Sequence, residues 1–168
     1  YAPVEEKSAA ACITAQTGFV HTGLKDPYTN LLRQTTEAMS AVNGGVQQLI
    51  IQPYDWYAEQ QQLNFTRRMA TNISLLLKEE SYLDKVIDPA GGSYALDDLT
   101  NAVAERAWAT FQQIEANGGI TSSEIRSQLS QEILEKAQQR VTLVREKKAT
   151  LIGINVFPNP DEVNNNWQ

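Results

Sequence analysis

Apolar and polar residues follow two rhythms along this chain, and the change of rhythm marks its elements. Two short runs have the length of strands: Ser8 to Thr14, made of small residues, and Gln47 to Gln52, centred on Leu49-Ile50-Ile51. The polar stretch Gln16-Thr17-Gly18 closes the first, and Pro53 ends the second. Between them Leu31, Leu32, Thr35, Met39 and Val42 recur at helical spacing. Asp26-Pro27 opens that helix, since Asp can cap free amides and Pro suits the first turn. Asn43-Gly44-Gly45 stops it. Phe65, Met69, Ile73, Leu76 and Leu77 predict a second helix to about Glu80.

Val86-Ile87 predicts a very short strand before the turn Asp88-Pro89-Ala90-Gly91-Gly92. A third stripe, on Leu96 or Leu99, Val103, Ala107, Phe111 and Ile114, is stopped by Gly118-Gly119. A fourth helix is expected from about Ser123 to Lys147, on Ile125, Leu129, Ile133, Ala137, Val141 and Val144. Gln138, Gln139, Arg140 and Arg145 surround that stripe, which suits a helix on the surface. Leu151 to Phe157 reads as a final strand broken by Pro158-Asn159-Pro160, and Asn164 to Gln168 as loop. Strand and helix thus alternate, which predicts an α/β fold with parallel strands joined by helical crossovers. So few strands seldom complete a parallel sheet, so a portion of a barrel or of a wound sheet is expected.

Composition narrows the possible functions. A chain of 168 residues can bury the core of one ordinary domain, and 42% hydrophobic with 20% charged residues is the balance of a soluble globular protein. With 14 basic against 20 acidic residues and no Lys/Arg cluster, an electrostatic footprint for nucleic acid is missing. Apolar runs such as Leu75 to Leu77 are too short to cross a bilayer. Cys12 stands alone, which excludes an internal disulfide and suits a reducing, cytoplasmic setting. The chain opens on Tyr1 with no signal-peptide pattern, as a fragment or processed chain would. Asn72-Ile73-Ser74 fits a glycosylation sequon but falls inside a helical pattern and reads as chance.

Candidate chemistry is sparse. His21, the single histidine, could act as an acid or base near neutrality, yet a structural or exposed histidine is the commoner case. One His and one Cys do not support a zinc site. Gly91-Gly92-Ser93 could let backbone amides approach a phosphate, or could simply be a tight turn with Ser93 as cap. Glu79-Glu80 and Asp97-Asp98 are adjacent pairs, and helical neighbours do not face the same way, so no carboxylate dyad is expected. Arg67-Arg68 could hold a carboxylate or phosphate, although surface arginines are commoner. On residues alone the reading stops at an α/β domain without an assigned activity.

Longer stretches carry a resemblance. Gln16-Thr17-Gly18 resembles a Q-T-S-G motif, with Gly18 at the serine. The run from Asp26 to Met39 is similar to D-P-Y-x-N-x-x-R-x-x-x-E-A-M, and Gly44 to Leu49 to G-G-T-Q-S-L. Ala70 to Ser81 resembles A-R-N-T-Q-x-x-L-x-E-E-S, with Thr71 at the arginine. Asp88 to Tyr94 resembles D-P-W-G-G-S-Y with Ala90 at the tryptophan, and Ile152-Gly153-Ile154-Asn155 resembles V-G-V-N. In order and in register, these motifs are those of the methylmalonyl-CoA mutase family, and they cover nearly the whole chain. The resemblance implies the C-terminal portion of a (β/α)8 TIM barrel in residues 1–118. Residues 119–168 would be a connector helix and strand leading to the cobalamin-type domain.

In that family the barrel holds the acyl-CoA along its axis. A separate domain ligates cobalt through Asp-x-His-x-x-Gly, which does not occur here. Catalytic members follow G-G-T-Q-S-L with H-T-N, two residues and Asp-Glu, the Glu contacting the adenosyl ribose. The matching positions here are Ile50-Ile51-Gln52, Pro53-Tyr54 and Asp55-Trp56. An indole donates one hydrogen bond and accepts none, so Trp56 cannot replace that carboxylate. The resemblance therefore implies the non-catalytic small subunit of a heterodimer, paired with a catalytic large subunit. Adenosylcobalamin would be in the holoenzyme but not on this chain. The alternative is a catalytic chain with an altered acyl-CoA preference. Gln16, Gln47, Gln52 and Trp56 are then vestigial cofactor-site candidates near the C-terminal ends of barrel strands. Pro53, Tyr54 and Trp56 would fill the barrel mouth, with Tyr54 or Trp56 at least partly buried.

Overall fold

The computed structural model describes residues 11–57 and 63–160. Its order is β1 (Thr14–Gln16), α1 (Pro27–Asn43), β2 (Gln48–Ile50), α2 (Leu63–Leu75) with a π-helical turn Leu76–Glu80, α3 (Tyr94–Ala116) and α4 (Ser123–Arg145). The mixed α/β character and the parallel pairing are as expected. β1 and β2 run parallel, with Thr14 opposite Gln48, Ala15 opposite Leu49 and Gln16 opposite Ile50.

The helices begin and end close to where local spacing put them; the strands do not. β1 starts at Thr14 and includes Gln16, because strand limits are set by the partner that supplies hydrogen bonds. The earlier part of the expected strand, Ser8 to Ala10, lies outside the described residues, as does the tail from Asn164 to Gln168. Val86-Ile87 forms no strand: no neighbour pairs with it, and Ile87 is fully exposed. Leu151 to Phe157 is a tight loop with one isolated bridge between Ile152 and Val156. There the Gly153 amide donates a hydrogen bond to the Val156 carbonyl at 2.9 Å. The expected caps differ too. Asp26 is left-handed (φ 52°) and caps no amide, its carboxylate accepting instead from the Thr29 hydroxyl. Ser93 offers its backbone carbonyl, not its side chain, to the amides of Leu96 and Asp97.

The chain divides into two compact units. The first comprises residues up to Pro89 together with those from Ile152 on; the second is Ala90–Leu151. Gly118-Gly119 lies at the turn between the helices of the second unit. In the first unit Ala38, Ile73 and Leu77 form the apolar core, with Leu31, Val42, Leu49, Ile51 and Leu83 packed on it. These come from one stripe on each of α1 and α2 and from the sheet, which is what amphipathic helices covering a strand pair should bury. Asn30, Gln34, Thr66, Thr17 and Asp55 are buried beside them. The second unit buries very little. Every residue of α3 from Tyr94 to Gln113, and of α4 from Ser130 to Leu143, is exposed.

Candidate functional site

The C-terminal end of the two-stranded sheet gathers most of the residues singled out above. The Thr17 amide donates to the Ile50 carbonyl at 3.0 Å, extending the ladder one step beyond β1. The Thr17 hydroxyl accepts from the Gln52 amide at 2.9 Å. Thr17 thus holds the chain just past β2 against the chain just past β1. After Gln52 the segment turns sharply, with the Trp56 amide donating to the Pro53 carbonyl at 3.2 Å. That turn places Tyr54 and Asp55 inside and leaves Trp56 and Tyr57 half-buried.

Aromatic rings fill the space that results. The Trp56 ring lies 4.2 Å from Phe19 and meets Tyr57 edge-on at 5.9 Å, both centroid to centroid. Tyr54, 4% exposed, packs 5.7 Å from Tyr28. Such pairs add to the area they bury. Burial raises the Tyr54 phenol above its ordinary range, with Tyr28 and Asp55 adding to the effect. The expectation that Tyr54 or Trp56 is at least partly buried therefore holds for both. Gln16, the last residue of β1, is exposed, and Gln52 is half-buried.

Gln47 is elsewhere. It precedes β2, at the opposite end of the sheet from Trp56. Its side-chain oxygen accepts from the Ile13 amide at 2.7 Å, and its amide nitrogen donates to the Gly45 carbonyl at 2.9 Å. The placement of Gln47 near a C-terminal strand end is thus corrected. The physical reason is the direction of the chain: Gln47 stands where the chain enters β2, and the C-terminal end of that strand is Ile50.

A buried polar network, which spacing alone did not reveal, braces this end of the unit. Asn30, 1% exposed, uses all four of its hydrogen-bonding sites. Its oxygen accepts from the Gly23 amide (2.9 Å) and Arg33 (2.8 Å). Its nitrogen donates to the Gly23 carbonyl (2.8 Å) and the Tyr57 hydroxyl (2.7 Å). Arg33 also donates to the Ile152 carbonyl, and burial pushes its guanidinium below its usual range. Glycines permit the close fit. A Cβ on Gly23 would lie 2.7 Å from Ile154, and one on Gly153 (φ +79°) would lie 2.8 Å from the Asp26 carboxylate. A second brace runs from Glu37, whose carboxylate accepts from the Gly18 amide at 3.0 Å. Asn30 and Arg33 lie three apart on α1, and that one-turn polar spacing inside an apolar stripe was the available clue.

The remaining candidates do not join this site. His21 and Cys12 are exposed. Gly92 stands at a turn with open space where a Cβ would go. Among the described residues no group of three or more His, Cys, Asp or Glu could hold a metal ion. No helix among them is long and apolar enough to cross a membrane. A groove of about 490 Å3 lies beside β2, lined by Val42, Val46, Leu49, Leu77, Val86 and Ile87 among others. Gln47, Ser74, Lys78 and Asp84 line it too, beside the larger apolar share.

The sheet with its motif-bearing ends can now be set beside known proteins. The family model for methylmalonyl-CoA mutase matches residues 1–167. The chain belongs to the methylmalonyl-CoA mutase family. It is 40% identical over 138 residues to the methylmalonyl-CoA mutase small subunit of Porphyromonas gingivalis, covering 82% of this chain and 22% of that protein. To the probable methylmalonyl-CoA mutase small subunit of Mycobacterium tuberculosis it is 37% identical over 157 residues, 91% of this chain and 25% of the relative. To the methylmalonyl-CoA mutase of Rhizobium meliloti it is 35% identical over 158 residues, 94% and 22% respectively. The chain therefore spans about a quarter or less of the length of these relatives.

Proposed function

We propose that this chain forms the late strands, helices and connector of a (β/α)8 barrel in the non-catalytic small subunit of an adenosylcobalamin-dependent methylmalonyl-CoA mutase. In this reading it works in the cytoplasm, paired with a catalytic large subunit that interconverts methylmalonyl-CoA and succinyl-CoA. Support for the barrel comes from the parallel pair β1 and β2, the apolar groove beside β2 and the short share of the relatives' length. Support for the small subunit comes from the names of two relatives.

The observation that carries the non-catalytic role is the filled sheet end. Trp56 stands where catalytic relatives are expected to present the ribose-binding carboxylate, and its ring packs on Phe19 at 4.2 Å. Tyr54 and Asp55 are buried next to it. An adenosyl group needs an acceptor for its ribose hydroxyls and open space for its rings. The Trp56 indole offers no acceptor and its ring is packed on Phe19, so position 56 does not fit the group, and no reaction step is assigned to it. The radical chemistry belongs to the cofactor, which this reading places on the large subunit.

Trp56→Ala in the reconstituted heterodimer tests the proposal. A half-buried ring lost from such a cluster should cost about 2 kcal/mol of stability, below the range for a fully buried one. Turnover of the folded, assembled enzyme should be unchanged, and titration of the small subunit with cobalamin should give no bound spectrum. A large fall in turnover with assembly intact would make this chain a participant in catalysis and end the proposal.

A further inference from the structure

The helical unit poses a physical problem. α3 and α4 are 23 residues each, and both are bare on all sides over most of their length. Isolated helices of this size are marginal in water, and helices in proteins are held chiefly by packing an apolar face. The apolar residues for such packing are present but uncovered: Leu99 and Val103 are 60% exposed, Ile133 68% and Val141 56%.

Contact between the two helices is confined to the turn end. There a narrow cleft is lined by Thr110, Gln113, Ile114, Ile125, Leu129 and Glu132, among others. Ile125 is buried and Ile114 half-buried. This short contact already sets an antiparallel register. Continued from Ile114 and Ile125, which line that cleft together, the α3 stripe steps back by three, four, four, four and three residues to Leu96. The α4 stripe steps forward from Ile125 by four, four, four, four and three to Val144. On closure every apolar layer on one helix would therefore meet an apolar layer on the other, Leu99 opposite Val141 among them. Such three- and four-residue spacing is what antiparallel helix pairs require. The ends match in charge as well. Closure would bring Asp97 in the first turn of α3 towards Arg145 in the last turn of α4, where the Glu146 carboxylate is already paired with Lys148.

We propose that α3 and α4 are the arms of a hairpin that closes along this seam, pivoting at Gly118-Gly119. Both glycines have positive φ, +107° and +74°, which side-chain-bearing residues rarely adopt. The occupant of each bare stripe is the facing stripe of the same chain, since the contact at the turn already fixes the register between them.

Cysteine pairs in the intact protein test this, with Cys12→Ser and any other reactive thiol replaced. A short thiol crosslinker matched to the roughly 8–10 Å between packed helix axes should join Leu99→Cys to Val141→Cys within one chain. The reaction should be as complete as for the turn-end pair Gln113→Cys and Gln128→Cys. The register-shifted pair Leu99→Cys and Leu134→Cys should stay unjoined. Crosslinking can trap a rare form, so hydrogen exchange on the unsubstituted protein provides the second reading: amides across both arms should slow together as one block. A distal pair that stays unjoined while the turn-end pair reacts, or arms that exchange like free helices, would overturn closure. Joining between chains would overturn it in favour of a second copy.

Discussion

The two units differ most in what holds them together. In the unit built around the sheet, contacts join residues far apart in sequence: Thr17 to Gln52, Glu37 to Gly18, Arg33 to Ile152. In the unit Ala90–Leu151 bonds such as Asn117 to Gln113 and Ile125 to Ser122 link residues within about one turn of each other, and the buried residues, Gly119 and Ile125, lie at one end. Both units have helices with clear apolar stripes. Only the first has something for the stripe to cover. Amphipathic spacing therefore predicts a helix well in both places, while saying nothing about whether that helix has found its partner.

The largest expected effect breaks the first unit alone. Asn30→Ala leaves the Gly23 amide and carbonyl, the Tyr57 hydroxyl and one Arg33 contact without their common partner. Stranding buried polar groups in this way should cost about 3 kcal/mol. Chemical denaturation followed by Tyr and Trp fluorescence should show the loss. Exchange of α3 and α4 amides should not change, since every bond lost lies within the first unit.

A smaller effect is expected from the opposite side. The Ser122 hydroxyl accepts from the Ile125 amide at 3.4 Å and donates to the Glu124 carboxylate at 2.7 Å. That hydrogen bond holds the Glu124 carboxyl below its ordinary range. Ser122→Ala removes the cap of α4 and should cost about 1 kcal/mol, confined to the helical unit. Faster exchange there, with an unmoved transition in the sheet unit, is the expected pair of readings. A matching drop in both would mean that they unfold together.

The smallest effect concerns pH. The Tyr54 phenol titrates higher in the folded chain than when unfolded, so its proton is held more tightly in the native state. The associated stability is present in full below the unfolded value of about 10 and is lost as pH rises from there through the folded value. Alkaline denaturation should therefore set in earlier for the unsubstituted chain than for Tyr54→Phe. Equal onsets would show that the ring is not held as the sheet end suggests.

Much of the site is legible in the order of residues alone, although unevenly. Trp56 stands out because the motif around it predicts a carboxylate, and its packing on Phe19 gives that substitution a physical meaning. Gln47 is misplaced by the motif, although the expected strand from Gln47 to Gln52 already has it at the entry and not at the C-terminal end. Of the Asn30 network only the contact with Arg33, three residues on, follows a spacing rule; Gly23 and Tyr57 are linked to Asn30 by none.

By itself the sequence determined where the helices run, the α/β order and the family. Helical hydrogen bonds are local, so apolar spacing and glycine stops suffice to mark α1 to α4 nearly to their ends, while family membership rests on motif order along the chain. Tertiary structure alone decided the rest. It set β1 and β2 at the residues that face each other, denied Val86-Ile87 a strand, and turned Leu151 to Phe157 into a loop tied to Arg33. Strands and buried polar networks need distant partners, and a one-dimensional pattern does not say which distant residue will be there.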